Sequence, residues 1–165
     1  MAQIEGHCMG AGVEIASCCD IRIASQSARF GAPIAKLGFP MAPREAALVT
    51  RELGAMTARQ MLLEAAVFDA VEMATRGFLS RVVADDRVAH DARDTSLRVA
   101  ALAPQAARLN KQTLRALNAG CGDDLLSSSA IHLVADVLRT PYAYANSDEH
   151  REGIMAFIGK RRPRF

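Results

Sequence analysis

The 165-residue sequence has no tryptophan, and its aromatic residues number only six Phe and two Tyr. That scarcity argues against an aromatic platform on which nucleic-acid bases stack. Charge of one sign is lacking too. Twenty Lys and Arg against eighteen Asp and Glu leave a net +2, so the chain has no global bias towards polyanions. The four cysteines, Cys8, Cys18, Cys19 and Cys121, show no zinc-like CxxC spacing. A bridge between adjacent Cys18 and Cys19 on a helix would be badly strained, so reduced thiols in a cytoplasmic protein are the simplest reading. No stretch reads as a signal peptide, and no apolar run reaches membrane-spanning length. Repeats and low-complexity linkers are absent as well.

What is present is an apolar chain of one-domain length. Half of its residues are hydrophobic, enough to bury a real core. The organising stretch runs from Gly6 to Asp20. Within it the small-residue turn Gly10-Ala11-Gly12 leads straight into a short apolar helix carrying one acid, Glu14. Small residues let backbone approach a ligand closely, and the first turn of a helix leaves N–H groups free at the positive end of its dipole. Such donors can hold an anion, or a carbonyl oxygen on which negative charge develops, with Glu14 beside it as acid or base. A turn of this kind also serves plain tight packing, and spacing alone leaves both readings open. His7 and Cys8 are sequence neighbours on a turn and do not read as a nucleophile pair.

Further along, Asp20 to Ala24 alternates apolar and polar residues as a strand does, and Ser25 to Arg29 reads as a loop. Phe30-Gly31-Ala32-Pro33 turns the chain towards a short segment, Ile34 to Leu37. Pro43 opens the next helix, which Gly54 stops, and Thr57 can cap the one after it. Glu45 falls in the first turn after Pro43. There it is either a surface charge complementing the helix dipole or, by its nearness in sequence, a second base. Asp69-x-x-Glu72 has the form of a capping box before a short helix, and Phe78 to Val83 reads as the last strand. From Asp85 onward the pattern is helical, in four segments. They run through Val88 to Ala101, through Ala107 to Leu117, from Asp123 or Asp124 to Leu138, and from a cap at Asp148 to Ile158. The composition therefore divides the chain into an α/β part, residues 1–84, and a helical part, residues 85–165. A basic run, Lys160, Arg161, Arg162 and Arg164, closes it.

Gly6, Gly10, Gly12, Glu14, Cys19 and Asp20 fall on the matching positions of a signature that reads approximately Asn-Gly-x-Ala-x-Gly-Gly-Gly-x-Glu-Leu-x-x-x-Cys-Asp. By it the sequence resembles the enoyl-CoA hydratase/isomerase (crotonase) family. The likeness continues through Phe30 to Pro33, Leu37-Gly38, Thr50-Arg51 with Gly54, and Arg151 to Phe157. It implies an α/β fold, the C-terminal portion of a crotonase-like domain. It also implies that Ala2 to Glu5 ends a strand leading into the signature. The family's first strands, and the loop with the other oxyanion-hole donor, are then expected outside this sequence. A fragment, an unusual start and a split protein all fit that expectation.

The resemblance assigns the Ala11 N–H to the oxyanion hole for a thioester carbonyl and Glu14 to acid or base work. Hydratases of the family carry a second glutamate where this sequence has Ile34, and Phe39 to Glu45 replaces a Gly-rich loop. One carboxylate suits an isomerase that shuttles a single proton better than a hydratase. The resemblance further implies an acyl-CoA thioester as substrate, with coenzyme A belonging to it and no metal or redox cofactor. Residues 85–165 would pack subunits into a homo-oligomer, a trimer or dimer of trimers, although an intramolecular core would use the same apolar stripes. Phe157 and Lys160 match residues that reach a neighbouring subunit's CoA. On the residues alone they are a packing side chain and a solvated charge. The rival functional reading is a non-catalytic homologue or scaffold subunit. Neither nucleic acid nor membrane is an expected partner.

Overall fold

The computed structural model of the chain describes residues 1–119, 139 and 141–165. Its contacts divide it into two compact units, Met1–Ser96 and Leu97–Phe165.

The first unit is α/β, as expected. Its strands are all short: β1 (Ala2–Ile4), β2 (His7–Met9), β3 (Arg22–Ser25), β4 (Arg29–Gly31), β5 (Val67–Asp69) and β6 (Arg81–Val83). They form two three-stranded sheets, ordered β1-β3-β6 and β2-β4-β5. In the first sheet every pairing is parallel, with Ile4 opposite Ala24 and Ala24 opposite Val82. In the second, β2 runs parallel to β4, and β5 returns antiparallel with Phe68 opposite Phe30. Parallel neighbours need crossovers, and helix α1 (Ala11–Ser17) lies in the crossover that carries the chain from β1 to β3.

Helices α2 (Pro43–Leu53), α3 (Ala55–Leu63) and α4 (Ala70–Thr75) lie between β4 and β6 in sequence, and α5 (Val88–Ala100) follows β6. Pro43 stands at the first position of α2, as expected, and Gly54 ends it. The capping box of α4 is formed: Asp69 Oδ1 accepts from the Glu72 N–H at 2.8 Å, and Glu72 Oε2 accepts from the Asp69 N–H at 2.9 Å. The core gathers Val13 of α1, Phe30 of β4, Val49 and Leu53 of α2, Met61 of α3 and Met73 of α4. Phe30 meets Phe78 edge to face, with centroids 6.1 Å apart.

Several local expectations are corrected. β2 and β5 were not expected: three residues are too few to show a period of two. Phe30-Gly31, read as part of a turn, belongs to β4. Thr57 does not cap α3. Gly54 holds that position, while Thr57 is buried and its hydroxyl accepts from Arg76 Nη1 at 3.2 Å.

In the second unit, α6 (Pro104–Ala119) and α7 (Asp148–Ile158) are joined where Glu149 Oε2 accepts from the Gln105 N–H at 2.8 Å. Ser147, one residue before the expected Asp148, caps α7: its hydroxyl accepts from the His150 N–H at 3.1 Å. The third helix expected after Asp123 or Asp124, and Cys121, lie outside the described residues. The division between the units falls inside α5. Val88, Ala92 and Thr95 in the first turns of that helix are buried, whereas residues 96–100 are exposed.

Candidate active site

Strand β2 delivers the chain to α1 through Gly10, whose φ of 51° and ψ of −116° suit glycine and strain other residues. The Gly10 N–H continues the sheet by donating to the Gly31 carbonyl at 2.8 Å. Its own carbonyl accepts from the Val13 and Glu14 N–H groups at 2.9 and 3.3 Å. The helix therefore begins at a point fixed by β4, and no side chain caps it. The Ala11 and Gly12 amides have no acceptor within the helix, which is the arrangement a carbonyl oxygen needs in order to dock there. Ala11 is exposed.

One turn in, Glu14 is half-buried. Loss of hydration holds its carboxyl above the usual carboxylate range, and the negative charge of Glu45 adds to the effect. The structure thus brings Glu45 within electrostatic reach of Glu14, through the packing of α1 on α2. Glu45 is exposed, and its Oε2 accepts from the Ala42 N–H at 3.3 Å. This is half of a capping box only, because the alanine offers no side-chain acceptor in return. Ile34, where a second carboxylate was looked for, is half-buried at the start of a 3₁₀ turn, Ile34–Leu37, that packs on α3.

Cys8 and His7 lie on opposite faces of β2, one buried and the other exposed. Burial pushes the Cys8 thiol up to about 11, which suits a packing residue and not a nucleophile. Phe157 and Lys160 belong to the second unit. Phe157 is 84 % exposed, and Lys160 is exposed with a left-handed φ of 49°.

Sequence reasoning missed the residue that secures the far end of α1. Arg22 is buried on β3. Its Nη1 donates to the Ala16 and Cys19 carbonyls at 3.2 and 2.5 Å, and its Nε donates to the Phe78 carbonyl at 2.5 Å. Nη2 reaches Glu52 Oε2 of α2 at 3.3 Å, and the guanidinium lies over the Phe78 ring at 4.6 Å. No local signal marks it: the Glu14, Ile15 and Ala16 carbonyls already accept from the Cys18 and Cys19 N–H groups, and Phe78 and Glu52 lie far along the chain.

Among the described residues no cluster of three or more His, Cys, Asp or Glu is placed to hold a metal ion, and no helix is long and apolar enough to cross a membrane.

The sequence model of the enoyl-CoA hydratase/isomerase family matches residues 1–165. A probable enoyl-CoA hydratase of Mycobacterium bovis is 32 % identical over 166 residues, covering 100 % of this chain and 61 % of that protein. The crotonyl-CoA hydratase of Syntrophomonas wolfei is 30 % identical over 165 residues, covering 100 % of this chain and 60 % of the relative. In three dimensions an enoyl-CoA hydratase/carnithine racemase from Magnetospirillum magneticum superposes with a TM-score of 0.83 at 35 % identity, over 98 % of this chain and 58 % of that one. The chain belongs to the enoyl-CoA hydratase/isomerase family, with the α/β fold of its crotonase-like members. It spans about three-fifths of the length of these curated relatives, 61 % and 60 %.

Proposed function

We propose that this chain carries the enolate-stabilising part of an acyl-CoA site, and that the protein isomerises enoyl-CoA thioesters in preference to hydrating them. The observation that carries the reading is Glu14, a half-buried carboxylate one turn inside a helix that opens on the free amide of Ala11. A thioester oxygen accepts from the Ala11 N–H. Glu14 removes a proton from C2 of a 3-enoyl thioester, and the negative charge passes to that oxygen. Glu14 then returns the proton to C4, leaving the 2-enoyl isomer. A carboxyl held above its usual range is a stronger base for the first step and a competent acid for the second. Fixed N–H dipoles stabilise the enolate with little reorganisation, and one such donor is worth about 3 kcal/mol.

The relatives named above are hydratases by name, and hydration needs a second group to activate water. Ile34 supplies none, which favours the single-proton shuttle; Glu45 is the candidate for a second base. We further propose a cytoplasmic homo-oligomer, a trimer or dimer of trimers. In it Phe157 lies against the adenine of a neighbouring subunit's CoA, and Lys160 offers a point charge to a phosphate. Coenzyme A belongs to the substrate, and no separate cofactor takes part.

The test is the Glu14→Gln variant of the protein, assayed with 3-enoyl-CoA for isomerisation and with 2-enoyl-CoA for hydration. Isomerisation is expected to be the faster wild-type activity and to fall at least about a hundredfold in the variant. Wild-type turnover in Glu14→Gln removes Glu14 from the chemistry. Hydration as fast as isomerisation assigns water activation to another group, with Glu45 the first to replace. No turnover in the wild type returns the chain to the scaffold reading.

A further inference from the structure

The end of the chain is tied back onto α7 by one carboxylate. Arg161 Nη1 and Nη2 donate to Glu152 Oε1 and Oε2 at 2.6 and 2.8 Å, a two-pronged ion pair. The Arg164 N–H donates to the same Oε1 at 2.8 Å. Beyond it the Phe165 ring lies over Gly153, 3.8 Å from where a Cβ would stand. These donors hold the Glu152 carboxyl down at about 2, so it is fully charged at neutral pH.

Between the helix and the anchored arginines the backbone has no slack. The Lys160 N–H donates to the Phe157 carbonyl at 3.2 Å, and the Arg161 N–H donates to the Ala156 carbonyl at 3.0 Å. This pair of bonds is the helix ending in which the intervening residue turns left-handed, a place usually taken by glycine. Here the residue is Lys160, at φ 49°. A lysine stays in that conformation only when its surroundings impose it. The imposition comes from Arg161, the next residue, fastened to Glu152. A glycine would make the same turn with less strain; the lysine adds a cationic side chain at this point.

We propose that Glu152 clasps the closing segment against α7 and thereby positions Lys160 for the phosphates of coenzyme A. The ligand in this statement rests on the acyl-CoA reading above; the clasp does not. Glu152 touches no ligand and acts through the backbone of residues 160 and 161. The alternative is purely electrostatic. A carboxylate beside a phosphate site repels the phosphate, so removing it would tighten binding. Clasp and repulsion therefore predict effects of opposite sign.

The experiment compares wild type and Glu152→Ala, both as the full chain, by limited trypsin digestion and by calorimetric titration with coenzyme A. Far-UV circular dichroism confirms that the variant is folded; Glu152 is only half-buried and outside the core. Trypsin cleavage after Lys160 and Arg161 is expected to accelerate about tenfold as the segment is released. Coenzyme A affinity is expected to fall about fivefold, the scale of ordering one or two side chains at a binding site. Unchanged cleavage overturns the clasp. Faster cleavage with equal or tighter binding overturns the positioning of Lys160. A wild type that binds no coenzyme A overturns the acyl-CoA reading and the ligand half of this proposal, and the digestion alone then decides whether the clasp stands.

Discussion

Replacing Arg22 by methionine isolates the contribution of one guanidinium to the helix that bears Glu14. Methionine keeps an apolar stem of similar reach and removes the charge and the donors. The Phe78 carbonyl and the partly buried Cys19 carbonyl are then left unpaired, at about 1–3 kcal/mol each, while the Ala16 carbonyl keeps the Cys19 N–H at 3.1 Å. Loss of the Glu52 contact adds less, because that side chain is 22 % exposed and can take up water. The expected loss is about 3–5 kcal/mol, a large part of the roughly 5–15 kcal/mol that stabilises a typical domain. With a slope near 2 kcal/mol per molar urea, the unfolding midpoint drops by about 2 M. Tyrosine fluorescence cannot follow this unit, since both tyrosines, Tyr142 and Tyr144, lie in the other one. Circular dichroism can, together with alkylation of Cys8, whose buried thiol is held up at about 11 and reacts only when the unit opens. Peptide mass separates Cys8 from the exposed Cys18. Arg22→Lys, with its charge but without the fork, should fall between. A midpoint within about 0.5 M of wild type, with Cys8 labelled at the wild-type rate, would refute the assignment of Arg22 as the anchor of α1.

Two further outcomes follow from the geometry. Glu45→Gln should lower the midpoint of Glu14, read by carboxyl-resolved NMR, yet leave it above the ordinary value, because lost hydration is the larger cause. A raised folded-state midpoint means that stability declines as pH climbs through it from the unfolded-state value, and the variant should soften that decline; an unmoved midpoint would separate the two carboxylates. Gly31→Ala would bring a Cβ to 3.1 Å from the Ala66 carbonyl oxygen, Met9 Cε and Val67 Cγ2 at once. A loss of about 1–3 kcal/mol is expected by urea unfolding, and no loss would mean that β5 shifts to make room.

Much of the frame was legible because it is written in local chemistry. Pro43 and Gly54 bracket α2, and the box of Asp69 and Glu72 opens α4; each uses neighbours in sequence, so the residues announce it. That Ala11 and Glu14 share one short helix was legible for the same reason. What could not be read joins distant positions. β2 and β5 are three-residue strands that exist because β4 lies between them. Arg22 looked like the polar residue of an alternating strand, and only the arrival of Phe78 and Ser80, more than fifty residues later, turns its surroundings inward. The electrostatic pairing of Glu14 with Glu45 depends on how α1 meets α2. The role of Glu152 could not be read either, since nothing near it in sequence forecasts a return of the tail.

The junction at Gly10 decides where this sequence is free to drift. In the function proposed above, the atom offered to a ligand there is a main-chain amide, which every residue except proline possesses. The exposed side chain at position 11 can therefore vary widely without altering the donor. The restriction is displaced onto neighbours that would touch no ligand: onto position 10, by its backbone angles, and onto position 31, by the lack of room for a Cβ beside the carbonyl that position 10 must reach. In a collection of variants selected for activity, tolerance at 11 and intolerance at 10 and 31 would mark a site built from backbone.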